Sequence, residues 1–223
     1  SGMVRIDEYI SRAVCLLRDT FADRLLYVGL QGSYSRGEAD ENSDIDLMVV
    51  LDELTAGDLE VYRGLLARLG EAEKSCGFLC GRGELFNWNT CEICQILHET
   101  DDILGRLADL VPSYTEEDVR QHVKLSVGNL YHALCHRAVH AADGWDADGL
   151  RDAYKPVLYI LQNRVYLETG VYWKTRRELL AHLDGIDAEV LQTAAALKAG
   201  DTMDAGEAFR LLFTWCQTTL QNT

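Results

Sequence analysis

Two apolar runs, Leu25 to Leu30 (LLYVGL) and Asp46 to Leu51 (DLMVVL), stand on either side of a polar stretch that carries glycines. Runs this short, bounded by turn residues, read as buried strands. Ser33 to Asn42 between them must then be a loop with room for one helical turn. Ahead of the first run, Ile6, Ile10, Val14 and Leu17 recur at helical spacing, so Val4 to Asp19 reads as an amphipathic helix. Behind the second, Asp58 can cap a helix running to about Lys74, with Leu59, Tyr62, Leu65, Leu66 and Leu69 on one face. A third strand near Gly77 to Cys80 and a fourth near Glu92 to His98 complete an alternating α/β unit.

From Thr115 onward the pattern changes. Helical periodicity covers Glu116–Ala142, Asp146–Glu168, Lys174–Leu183, Ala188–Ala199 and Ala205–Leu220, with turns at Gly144, Gly170 and Gly185. One of the two prolines, Pro112, falls where the pattern switches. The expected fold is therefore α+β: an α/β domain with a small mixed sheet over residues 1–112, then an all-helical bundle over 113–223.

The loop and the strand after it carry the chemistry. Gly32-Ser33-Tyr34-Ser35-Arg36-Gly37 is followed, six residues later, by Asp44-Ile45-Asp46 at the head of the second apolar run. A strand ending in Gly-Ser lets backbone N–H groups and a hydroxyl approach an anion closely. Asp44 and Asp46 are two apart on a strand, so both carboxylates leave the same face while Ile45 enters the core. Two such carboxylates repel unless a cation lies between them, and hard oxygen ligands shared with a polyphosphate suit Mg²⁺. Ser43 reads as a brace for this turn.

This ordered pair resembles the signature of the nucleotidyltransferase superfamily, the fold shared by DNA polymerase beta and the aminoglycoside and lincosamide antibiotic nucleotidyltransferases. The resemblance implies Mg²⁺-dependent transfer of a nucleoside monophosphate, AMP for preference, from a nucleoside triphosphate to an acceptor hydroxyl. It places Gly32 and Ser33 on the phosphates and two metal ions on Asp44 and Asp46. Arg36 is a candidate for a phosphate, or for an ion pair that shapes the loop. The family also supplies a third carboxylate from a later strand, as metal ligand or base. Glu84 fits by element order and is preferred, while Glu92 fits as a carboxylate within an apolar run. In the helical half, Lys155 is the candidate to approach the triphosphate.

Composition narrows the partner. The 223-residue chain has a formal charge of −15, against the clustered Lys and Arg that grip nucleic acid. An acidic chain suits a small cationic acceptor such as an aminoglycoside-like antibiotic, and acidity for solubility gives the same charge. No run is apolar enough for a membrane, and the start has no secretory pattern, so the expected location is cytoplasmic. Seven cysteines fit free thiols in a reducing compartment. Cys76, Cys80, Cys91 and Cys94 loosely follow zinc spacing but read as small buried hydrophobes. His132, His136 and His140 recur every four residues and share one helix face, as packing residues or as metal ligands. A homodimer is compatible with the apolar helical half. Two other readings of the chain are a toxin–antitoxin component acting on a protein partner and a catalytically silent nucleotide-binding protein.

Overall fold

The computed structural model describes residues 2–142 and 144–223. The chain divides into two compact units, one reaching Ser113 and the other starting at Tyr114. In the first, helix α1 (Ile6–Phe21) leads to strand β1 (Leu25–Gln31), the single-turn helix α2 (Gly32–Arg36) and strand β2 (Ile45–Leu51). Helix α3 (Ala56–Leu69) and strand β3 (Ser75–Gly81) follow, then α4 (Arg82–Phe86), α5 (Ile93–Glu99) and β4 (Asp101–Leu104). The sheet order is β3-β2-β1-β4. β1 runs antiparallel to both of its neighbours and β3 runs parallel to β2, so the sheet is mixed.

Alternation along the strands assigns the two faces. Val28 and Leu30 of β1 and Ile45, Leu47 and Val49 of β2 are buried against Tyr9, Ala13 and Leu17 of α1 and Tyr62, Leu65 and Leu69 of α3. The opposite face therefore receives Gln31, Asp46 and Met48, with Cys76 and Phe78 in register beside the last two. Burial of one face fixes that register, because a slip of one residue would expose the core positions.

The second unit contains α6 (Glu116–His140), α7 (Ala147–Tyr154), α8 (Val157–Thr169), α9 (Arg176–Leu180), α10 (Gly185–Lys198) and α11 (Ala205–Asn222). Its core is its own, built from Val123, Val127 and Leu134 of α6, Tyr154 of α7, Leu161 of α8, Leu191 of α10 and Trp215 of α11. Among the described residues no helix is long and apolar enough to cross a membrane.

Several expectations need correction. The run Glu92 to His98 is not a strand: a turn capped by the Asn89 side chain opens into α5, and the adjacent Ile93 and Cys94 are both buried, where a strand with one buried face would alternate them. The fourth strand lies just beyond, at Asp101–Leu104. Asp58 is not the cap of α3. Thr55 is, and Asp58 returns its carboxylate to the Thr55 N–H as the other half of a capping box. The long helix expected from Asp146 breaks at Pro156, where the missing N–H and the ring end α7 and start α8. The helix expected over Lys174–Leu183 is confined to α9, capped by Thr175.

Candidate active site

β1 ends at Gln31, and Gly32 turns the chain with φ of +72°. That left-handed backbone favours glycine, and space demands it as well: a Cβ here would lie 2.1 Å from Asp46 Oδ2. The main chain of the loop thus abuts the carboxylate directly. The turn continues as α2, whose end is closed by Gly37 at φ +70°, with the Glu38 N–H donating to the Ser33 carbonyl at 2.9 Å. Ser33 is buried inside this turn.

On the other side of the loop, the Asp40 N–H donates to Ser43 Oγ at 2.8 Å, so Ser43 braces the turn that delivers Asp44. Asp44 is exposed, Ile45 is buried in the core and Asp46 is half-buried. Burial pushes the Asp46 carboxyl up from its ordinary value; a hydrogen bond from Cys76 opposes this, the Asp44 charge adds to it and Arg36 opposes it again. A half-buried carboxylate beside a second one, with glycine backbone on its flank, is a set of hard oxygen donors fitted to a divalent cation.

The structure brings Gly32, Ser33, Asp44 and Asp46 together. Arg36 lies beneath them with its side chain only 5% exposed; its Nε is 3.1 Å from Glu38 and its Nη1 3.5 Å from Glu99. Its guanidinium is thus built into the loop as a brace. Glu84 is not brought to the site. It follows Gly81, which pairs with Leu51, five rungs along the ladder from the Asp46–Cys76 pair and roughly 16 Å away. Its carboxylate curls back over Gly81 instead. Glu92 accepts a hydrogen bond from Trp88 Nε1 at 3.1 Å, and Trp88 packs edge-on against Phe78 on the Asp46 face of the sheet. Lys155 caps α7 in the helical unit and lies exposed, 3.2 Å from Asp152 Oδ1.

Two residues of this region escape sequence reasoning. Cys76 stands directly beside Asp46 on β3, and its thiol is pushed up by partial desolvation, with a hydrogen bond to Asp46 and the two aspartate charges adding and a backbone hydrogen bond at Gly77 opposing. No local pattern marks it, because the register of β3 on β2 is set by packing. Glu99 is buried against Arg36 at the end of α5, one residue beyond the strand expected over Glu92 to His98. Of the four cysteines with zinc-like spacing, Cys80 and Cys94 are buried, Cys91 is half-buried and Cys76 exposed. In the helical unit, Asp184 and Asp187 line a hollow of about 270 Å³ with Glu168, Arg164 and Trp173. There Asp187 takes an ion pair from Arg164 and a 2.8 Å hydrogen bond from Trp215 Nε1.

The nucleotidyltransferase domain family matches residues 15–129, which spans the loop, both aspartates and all four strands. The chain belongs to that family. It is accordingly a nucleotidyltransferase, and the likeness to solved structures agrees in fold. Spectinomycin adenyltransferase AAD(9) from Enterococcus faecialis, solved with ATP and spectinomycin, is 15% identical at a TM-score of 0.64, over 96% of this chain and 99% of that one. A toxin–antitoxin complex solved with AMP-PNP is 26% identical over 60% of this chain and 95% of that one, at a TM-score of 0.33. A chain from the tri-AMPylated Shewanella oneidensis HEPN toxin in complex with MNT antitoxin is 24% identical over 61% and 96%, at 0.31. These last two superpose too weakly to define a common arrangement. No curated protein matches the sequence.

Proposed function

We propose that this nucleotidyltransferase moves AMP from ATP to a hydroxyl of a small cationic molecule of the aminocyclitol antibiotic class. The observation that carries the reading is the contact between the Gly32 backbone and the Asp46 carboxylate, with Asp44 beside it. It sets a phosphate-approaching loop against two hard ligands, the pairing that nucleotidyl transfer needs. AAD(9), described as an adenyltransferase and solved with ATP and spectinomycin, is like this chain over nearly the whole length of both, which favours ATP and an aminocyclitol. The charge of −15 favours a cationic acceptor.

In this reading Asp44 and Asp46 hold Mg²⁺, which when bound offsets charge on the reacting phosphate. Gly32 leaves room for the Asp46 carboxylate to lie against the loop that approaches the polyphosphate, and Ser33 offers its backbone N–H. Arg36 positions the loop rather than touching nucleotide. Lys155 is the cation proposed for the triphosphate; its exposed pair with Asp152 is worth little and leaves its ammonium available. Glu92, on the Asp46 face of the sheet, takes the acceptor proton in place of Glu84. A reducing, cytoplasmic location fits the seven free cysteines.

The test is pyrophosphate release by the pure protein with Mg²⁺ and labelled ATP, GTP, CTP or UTP against spectinomycin, other aminocyclitols, lincosamides and protein acceptors. ATP with an aminocyclitol is the expected pair. Transfer only to protein would overturn the acceptor, and no transfer with any pair would overturn the reading. Asp44→Asn and Asp46→Asn should each abolish turnover with the fold intact. Glu92→Gln should lower kcat by about 10²-fold or more, the usual worth of a general base. Glu84→Gln should leave it unchanged, and the reverse order would return the base to Glu84.

A further inference from the structure

Helix α6 carries three histidines that the transfer reaction does not use. His132, His136 and His140 lie one turn apart and all are exposed. The His136 and His140 rings are 4.7 Å apart between centroids, and those of His132 and His136 are 6.2 Å apart. Beyond these ring contacts none of the three side chains makes a hydrogen bond or ion pair with another described residue. Arg137, the one cation of this turn, is directed elsewhere: its guanidinium lies 4.6 Å from the centroid of the Trp145 ring and bonds the Gly144 carbonyl.

Imidazole is the commonest protein ligand for transition metals, and residues four apart on a helix project side by side. A metal–nitrogen distance of about 2.0–2.1 Å brings two ligating nitrogens to within a few ångströms of each other. Rings 4.7 Å apart reach that geometry by turning about their side-chain bonds. The wider pair needs a larger shift, and His132 and His140, eight residues and roughly 12 Å apart along the axis, are too far to share an ion. Among the described residues no group of three or more His, Cys, Asp or Glu is placed to hold a metal, so this is a two-imidazole site. We propose that His136 and His140 bind a divalent transition cation of the Ni²⁺, Cu²⁺ and Zn²⁺ class, each giving one ring nitrogen, with water at the other positions. Imidazole selects these ions over Mg²⁺, so the site differs in chemistry from the aspartate pair.

The probe is Ni²⁺ alone, titrated calorimetrically into the full chain carrying Asp44→Asn and Asp46→Asn, so that the result does not depend on the transfer reaction. One ion per chain is expected, undisturbed by excess Mg²⁺. Replacing a hydrogen-bond partner of a ligand already costs about 10–100-fold in affinity, so losing a ligand in His136→Ala or His140→Ala should cost at least about tenfold. His132→Ala should leave affinity unchanged. Both positions are exposed, and unaltered circular dichroism would show that the helix persists. No Ni²⁺ binding, binding that survives in the His136→Ala/His140→Ala double variant, or a loss in His132→Ala equal to that in His140→Ala would each overturn the proposal.

Discussion

Burial and the neighbouring Asp44 carboxylate raise the Asp46 carboxyl above its ordinary value, despite the hydrogen bond from Cys76 and the charge of Arg36. The sign of its effect on stability follows by linkage. A raised carboxyl contributes stability that is fully present below the ordinary value of 3.8 and is lost as pH rises through the folded-state value. Near neutral pH, without metal, the ionised group therefore weakens the fold, and Asp46→Asn should melt above the wild type while losing activity. Calorimetry across a pH series tests this: the gap should be widest near neutral pH and shrink as pH falls toward 3.8. A variant that melts below the wild type at pH 7 would mean that the carboxylate is structurally satisfied. The placing of the aspartates beside Gly32 was legible in the sequence because it is local, a two-residue period and a strand-to-turn junction. Cys76 beside Asp46 was not, since its neighbour comes from a strand some thirty residues away whose register only packing decides.

At the scale of elements, the run Glu92 to His98 shows where periodicity stops deciding. Seven residues, mostly apolar and with no glycine, satisfy strand and buried helix alike. The Asn89 cap and the inward pair Ile93 and Cys94 select helix. Helix α3 was legible in extent but not in its cap, since Thr55 and Asp58 are both good capping residues and only geometry divides their roles. Thr55→Ala removes the acceptor for the Asp58 N–H and should cost about 1 kcal/mol. That lowers the melting temperature of a unit of roughly a hundred residues by about 4–8 °C. Asp58 should also give an acid signature. The Arg24 guanidinium and the Thr55 N–H hold its carboxyl down to about 2 from 3.8, so its stabilisation is present above 3.8 and is lost as pH falls through about 2. Asp58→Asn should remove that part of the acid dependence; an unchanged acid transition would assign it to other carboxylates.

For the whole molecule, the switch from short apolar runs to long helical periods near Pro112 was visible in the sequence because each half obeys its own period throughout. The two cores are separate sets of residues: one draws on α1, β1, β2 and α3, the other on helices from α6 to α11. A helical unit that closes its own core needs nothing from the sheet in order to fold. Residues 114–223, expressed alone, should therefore give the far-ultraviolet dichroism of a helical protein and a single cooperative denaturant transition. Three of the four tryptophans, Trp145, Trp173 and Trp215, lie in this fragment, and the fully buried Trp215 makes its fluorescence a direct report on the core. A red-shifted emission or a broad transition would show that the helices need the first unit to pack. If the fragment folds, unfolding of the full chain should follow two transitions, with Trp88 as the sole indole of the first unit, and Thr55→Ala should move only the one belonging to that unit.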